Sequence, residues 1–424
     1  MIFDENNYVS DRESSRAILV GISLGEDISY SMEELAGLAE AAGAEVLGMM
    51  TQNVERVNAG TFIGSGKLEE LTELVRSMEA DLVIFNDELT GMQLRNIEDA
   101  VGVKVIDRTI LILDIFASRA TTAEGKLQVE MAQLQYRMPR LLGFGRSLSR
   151  LGGGIGTRGP GEKKLESDRR HIQRRIDEIR KELKELQANR SVQRAKRQDS
   201  QIPVVALVGY TNAGKSSVMN RLLAMNDRTD KQVFEKDMLF ATLDTAQRLI
   251  TLDSRHSFIL VDTVGFVSKL PHALVDAFKA TLEELSYADL LLHIVDAGFE
   301  DADFHIQVTD SVIAQLGAQD KPSVLVFNKM DTAPGKELIG YGQKSVGISA
   351  KTGEGFEELL QIIKDEIYSD LQTVELLIPY ERGDIVSYLN DKIKPQITDY
   401  RAEGTYLKID LGEADRSRLE KYRI

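Results

Sequence analysis

The 424-residue chain contains no cysteine. Disulfides, thiolate metal sites and cysteine nucleophiles are therefore excluded, and a reducing compartment is in keeping with that. Five histidines are too few for a histidine-rich metal centre. Apolar runs are short, as at residues 290–295 and 204–208, and none approaches the roughly 18 residues of a membrane span. The opening Met-Ile-Phe-Asp-Glu-Asn has no basic stretch leading into an apolar one, so a secretory signal is not expected. A cytoplasmic protein without stable membrane insertion is the expectation.

What is present is a globular balance, 42% apolar and 28% charged, which argues against a fibre or a disordered chain. The length suits about two to four domains. The net charge of −15 is unevenly spread. Residues 137–197 hold 18 Lys and Arg against 7 Asp and Glu, a surplus of +11, which leaves 34 basic against 60 acidic residues, −26, elsewhere. A basic stretch on an acidic protein fits a polyanion, nucleic acid being the commonest, although a solvated basic helix needs no partner.

Residues 17–106 alternate short apolar runs with amphipathic stretches, and 68, 71, 74 and 75 form a helical stripe. That pattern predicts a small parallel sheet flanked by helices. Leu127, Met131, Leu134, Met138 and Leu141 then step by four and three, and Ile172, Ile176, Ile179, Leu183 and Leu186 repeat the pattern. Two heptad seams separated by glycines predict an antiparallel helical hairpin. Its tip, residues 143–161, is rich in glycine, cannot form stable helix or strand, and carries Arg146, Arg150 and Arg158, with Lys163 and Lys164 following. Residues 191–201 read as a polar linker. The expected division is an N-terminal α/β domain (1–113), the hairpin and linker (114–200), a Ras-like α/β domain (201–369) and a small α+β unit (370–424).

Gly209-Tyr210-Thr211-Asn212-Ala213-Gly214-Lys215-Ser216 fits the phosphate-loop pattern, preceded by a strand-like run and followed by an amphipathic segment. Backbone N–H groups of Gly209, Asn212, Ala213, Gly214 and Ser217 would face phosphate, Lys215 would reach the β- and γ-phosphates, and Ser216 would bind Mg²⁺. Further elements follow in the order a GTPase needs. Asp262 in Asp-Thr-Val-Gly would hold Mg²⁺ through water, and the Gly265 amide would meet the γ-phosphate. Asp331 in Asn328-Lys329-Met330-Asp331 would accept both donors of guanine, a pair that adenine lacks. Asn328 and Lys329 would brace the pocket. In Ser349-Ala350-Lys351 the Ala350 amide would bond the guanine O6. Between the phosphate loop and Asp262, Thr242 is the chosen contact to Mg²⁺ and γ-phosphate, with Thr229 and Thr245 as alternatives. Phe266 stands where many GTPases place a water-orienting glutamine, so slow hydrolysis accelerated by a partner is expected. Asn212 could accommodate a potassium ion or simply stabilise the loop.

The sequence resembles the HflX family of translational GTPases. Residues 156–162, Leu165-Glu166 and Asp168-Arg169-Arg170 carry the resemblance, with residues 62–67, Glu69-Glu70-Leu71, 209–216 and 240–244. It implies GTP-dependent binding of a monomer to the large ribosomal subunit and dissociation of stalled ribosomes, with the glycine tip in the peptidyl-transferase region against rRNA. Lys163 and Lys164 are more basic than the family pattern, and Thr245-Ala246-Gln247 departs from it. ATP binding by the N-terminal domain, ascribed to some members, is not supported by Gly64-Ser65-Gly66-Lys67. Gly60 and Gly66 are one residue too far apart for a phosphate loop, and Leu68 replaces the hydroxyl. Two other functions fit parts of the sequence. A regulatory GTPase could use the hairpin as a protein-binding coiled coil, and an ATP-driven RNA remodeller is opposed by Asp331.

Overall fold

The computed structural model describes residues 14–140, 160–198, 202–226, 240, 246–253, 256–269, 283–335, 344–393 and 395–424. They form two compact units that do not follow chain order. The first takes residues up to 187 together with Phe240 and residues 267–269, and the second takes the remainder.

The first unit is built on four parallel strands, β1 (Arg16–Ser23), β2 (Glu45–Asn53), β3 (Leu82–Phe85) and β4 (Lys104–Asp107), in the order β2-β1-β3-β4. All four residues of β3 are buried, as are seven of the eight in β1. A strand covered on both faces reads as a continuous apolar run, which is why the sequence showed it. Helices α1 (Ser29–Ala41), α2 (Ser65–Ser77) and α3 (Gly91–Val101) follow the first three strands. Thr90 and Gln93 form a reciprocal capping box at the start of α3, and Gly102 ends it in the left-handed region at φ +75°.

Helix α4 (Arg108–Arg119) was not foreseen. The Asp107 side chain caps it by accepting from the Ile110 amide at 3.0 Å. Its residues are buried around most of the circumference, so it lacks the apolar–polar alternation that identifies a surface helix. Helix α5 (Ala123–Arg140) and the long helix Pro160–Gln198 follow. The second expected seam is the buried stripe of its helix. Helix α5 instead buries Gln128, Val129, Ala132 and Tyr136 with only Met131 of the first seam, Leu127, Leu134 and Met138 being half-buried and Leu141 outside the described residues. Met131, Ile176, Ile179 and Leu183 are buried. Arg175 clasps Glu130 on the other arm through two bonds of 2.7 and 2.9 Å. The expected linker is helical as far as Gln198. Its Arg, Lys, Gln and Ala residues are good helix formers, and neither Gly nor Pro interrupts them.

In the second unit, β5 (Val204–Gly209), β6 (Ala246–Thr251), β7 (Ser257–Asp262), β8 (Leu290–Asp296), β9 (Ser323–Asn328) and β10 (Lys344–Gly347) form one sheet in the order β10-β9-β8-β5-β7-β6. All neighbours are parallel except β6 and β7. The helices Lys215–Met225 and Phe356–Ile367 cover this sheet, burying Val218, Leu222, Leu359 and Ile363. A separate antiparallel sheet, β11 (Gln372–Ile378), β13 (Gly404–Leu411) and β12 (Ile397–Arg401), has its own core of Leu376, Leu389 and Leu407. Strand β12 is exposed throughout, and without a buried face it leaves no alternation to read in sequence. The observed class is the α/β class expected, with parallel sheets and a phosphate-loop domain.

Candidate nucleotide-binding site

Strand β5 lies between β8 and β7, so the strand order reverses there, and ligands of open α/β sheets bind outside such a switch point. Gly209 is the last residue of β5, and the helix Lys215–Met225 begins six residues later. Two glycines have no substitute. Gly209 has φ +144°, and a Cβ on it would lie 2.2 Å from the Ile294 carbonyl oxygen. Gly214 has φ +92°, and its Cβ would lie 2.2 Å from Asn328 Nδ2. The loop is thereby pressed against neighbouring strand ends, with amides at a helix N-terminus where phosphate is favoured.

Lys215 is buried, and its Nζ donates to the Gly209 and Tyr210 carbonyls at 3.1 and 2.8 Å. Burial lowers its pKa from 10.5 to about 8, opposed by the negative charge of Asp262. Ser216 Oγ donates to Asp262 Oδ2 at 2.7 Å. A hydroxyl and a fully buried carboxylate in contact are hard oxygen donors, which fit Mg²⁺. Among the described residues no group of three or more His, Cys, Asp or Glu could hold a metal by itself.

Gly265 is buried beside the phosphate loop. A Cβ on it would stand 2.7 Å from Thr211 Cα and 2.9 Å from Lys215 Nζ. Phe266 is 1% exposed and bridges to the loop through its backbone. Its amide donates to the Gly209 carbonyl at 3.2 Å, and its carbonyl accepts from the Thr211 amide at 2.7 Å. A buried aromatic ring at that place cannot orient a water.

The phosphate loop and the two base-reading elements are tied together by one side chain. Asn328, at the end of β9, donates from Nδ2 to the Ala213 carbonyl at 2.9 Å and accepts at Oδ1 from the Ala350 amide at 3.0 Å. Ser349 Oγ donates to Asp331 Oδ1 at 2.7 Å, which orients the carboxylate. Lys329 adopts φ +64° and pairs with Asp296 Oδ2 at 2.8 Å.

Other anticipated residues lie at the margin or outside the described set. Lys351 is well exposed, 3.9 Å from Asp331 Oδ2. Ser217 is half-buried in the first helical turn. Asn212 is exposed at φ +59°, a left-handed conformation that Asn tolerates, and this gives a potassium ion no support. Thr242, Thr229, Thr245, Arg146, Arg150 and Arg158 lie outside the described residues. Lys163 and Lys164 lie on the long helix, with side chains outside the described set.

Sequence reasoning missed Asp296, although its place at a strand C-terminus could have marked it. It also missed an aromatic stack behind the loop. The Tyr210 ring lies on His305 at 3.8 Å between centroids, and His305 lies on Phe299 at 4.0 Å. No local pattern announces a contact between residues so far apart in the chain.

Comparison with known proteins gives three family matches in chain order. They are described as "GTP-binding GTPase N-terminal" over residues 29–117, "GTP-binding GTPase Middle Region" over 119–197 and "50S ribosome-binding GTPase" over 204–329. The GTPase HflX of Caldanaerobacter subterraneus is 49% identical over 97% of this chain and 95% of its own length. That of Escherichia coli is 40% identical over 87% of this chain and 86% of its own. Among solved structures, a GTP-binding protein from the archaeon Sulfolobus solfataricus in complex with GDP is 24% identical, over 84% of this chain and 99% of that one, with a TM-score of 0.45.

Proposed function

The chain belongs to the HflX family of GTPases, and on that premise we propose that it couples GTP hydrolysis to binding of the large ribosomal subunit in the cytoplasm and to dissociation of stalled or idle ribosomes. Guanine selection falls to Asp331, oriented by Ser349; the Ala350 amide, which donates to Asn328 Oδ1 here, would turn to the guanine O6 when the base enters. Phosphate binding falls to the loop from Gly209 to Ser217, with Lys215 neutralising charge and Ser216 holding Mg²⁺ beside Asp262. Gly265 and Thr242 are assigned to the γ-phosphate. Phe266 cannot orient the attacking water, and turnover is expected to be slow until a partner supplies that group.

The ribosomal assignment is carried by one observation: the +11 surplus of residues 137–197 coincides with a helical hairpin clasped by Arg175 and Glu130. Arg146, Arg150, Arg158, Lys163 and Lys164, within that basic stretch of sequence, are proposed to contact rRNA, following backbone phosphate and stacking on unpaired bases. Sedimentation through sucrose with purified large subunits tests this. With a non-hydrolysable GTP analogue the protein should travel with the subunit, and its affinity should fall about tenfold or more between 50 and 200 mM salt. Binding indifferent to salt would remove the basic hairpin as the main contact.

A further inference from the structure

The phosphate end and the base end of the nucleotide site are joined through one helix. The helix Lys215–Met225 opens with Lys215 and Ser216 and carries Arg221 less than two turns further on. Arg221 is half-buried, and its Nη2 donates to the Thr352 carbonyl at 3.1 Å. The guanidinium lies against Gly353, which has φ +91°, and a Cβ there would collide with it. Only a glycine takes that conformation freely and lets a charged plane approach the backbone so closely.

The turn that Arg221 holds is the one that orients Asp331. The Thr352 amide donates to Ser349 Oγ at 3.1 Å, and Ser349 Oγ donates to Asp331 Oδ1 at 2.7 Å. The Gly353 amide closes the turn by donating to the Ser349 carbonyl at 2.7 Å. Arg221, Thr352, Ser349 and Asp331 are thus joined by consecutive hydrogen bonds, all inside the second unit. Such chains polarise one another, so a hydroxyl that accepts from an amide donates better to the carboxylate beyond it. Lys351, Thr352 and Glu354 are exposed, so packing contributes little to fixing the turn. A carboxylate accepts two parallel donors only when its plane is fixed, and guanine offers two where a base without the exocyclic amine offers one.

We propose that Arg221 is a positioning residue for guanine recognition: by holding Thr352 it keeps Ser349 aimed at Asp331, and so sharpens the preference for a base that carries the exocyclic amine. The proposal rests on Asp331 being the group that reads guanine. Arg221 acts through the turn at 349–353 rather than on the nucleotide.

Equilibrium titration of the full chain with GDP and with inosine diphosphate, which lacks the exocyclic amine, tests it. The readout is the ratio of the two affinities, which a general loosening of the site leaves unchanged. Arg221→Met keeps an unbranched stem and a good helix former but removes the donor. It should weaken GDP about fivefold, the size of one net hydrogen bond, and leave inosine diphosphate within about twofold. Ser349→Ala should also lower the ratio, and adding Arg221→Met to it should lower the ratio no further, because both act on the same bond. An unchanged ratio in Arg221→Met overturns the proposal, and so does a double variant whose loss is the product of the two single losses. Asp331→Ala separates the proposal from the reading beneath it. If Asp331→Ala still prefers GDP to inosine diphosphate as the unaltered chain does, guanine recognition by Asp331 fails and the proposal with it. If it abolishes the preference while Arg221→Met leaves the ratio intact, only the role of Arg221 fails.

Discussion

Asn328 has the most demanding task of any single residue in the site. It is 1% exposed and serves a carbonyl of the phosphate loop and an amide of the Ser-Ala-Lys element together. Truncation leaves both groups without their partner, at about 1–3 kcal/mol each. Asn328→Ala should therefore weaken GDP and GTP alike by about 30-fold in a fluorescence titration. A change confined to GTP would place Asn328 at the γ-phosphate instead. Lys215 makes a prediction in pH. Its pKa is about 8 in the fold against 10.5 ordinarily, so between those values the unfolded chain binds more protons than the folded one. Its contribution to stability thus rises as pH increases from about 8 to 10.5. Phosphates favour the charged ammonium, so GDP binding at pH 9 should take up protons that binding at pH 7 does not. Calorimetry in buffers of different ionisation heat measures this, and equal uptake at both values contradicts it.

At the scale of elements, legibility followed contiguity. The phosphate loop could be read because strand, loop and helix occupy one unbroken stretch, residues 204–225. Both base-reading elements, Asn328–Asp331 and Ser349–Lys351, lie at or just beyond the end of a strand, and their residues appear in order. The bond from Asn328 to Ala213 could not be read, since the partners are 115 residues apart and only the sheet brings them together. Helix α4 escaped for a different reason. Ile110-Leu111-Ile112-Leu113 is as compatible with a strand as with a helix, and nearly full burial removes the amphipathic signature. The Asp107 cap was the one local clue. The second heptad seam was legible because its period is regular. The first was not, because α5 buries the polar Gln128 and the Tyr136 ring beside Val129 and Ala132. The continuous helix to Gln198 shows that polarity alone does not make a linker. The hairpin also yields a prediction. Removing residues 143–161 should abolish large-subunit binding in sedimentation while GDP affinity stays within about twofold, since no described contact of the nucleotide site comes from the hairpin. Retained binding would favour a protein-binding coiled coil.

For the whole molecule, charge and connectivity point the same way. An acidic protein confines its positive surplus to one hairpin, and among the described residues no helix is long and apolar enough to cross a membrane. The described residues of the nucleotide site lie in one compact unit, yet the chain leaves that unit around Phe240 and again just after Phe266, on both sides of the Asp262 element. The base that Asp331 reads should therefore decide whether the hairpin engages the ribosome. Asp331→Asn exchanges an acceptor for a donor and should shift preference from GTP towards xanthosine triphosphate. The decisive measurement is sedimentation of Asp331→Asn with large subunits in each nucleotide. Co-sedimentation with xanthosine triphosphate and its loss with GTP is the predicted result; binding that still follows GTP, or that ignores the nucleotide altogether, contradicts the coupling of guanine recognition to the ribosome.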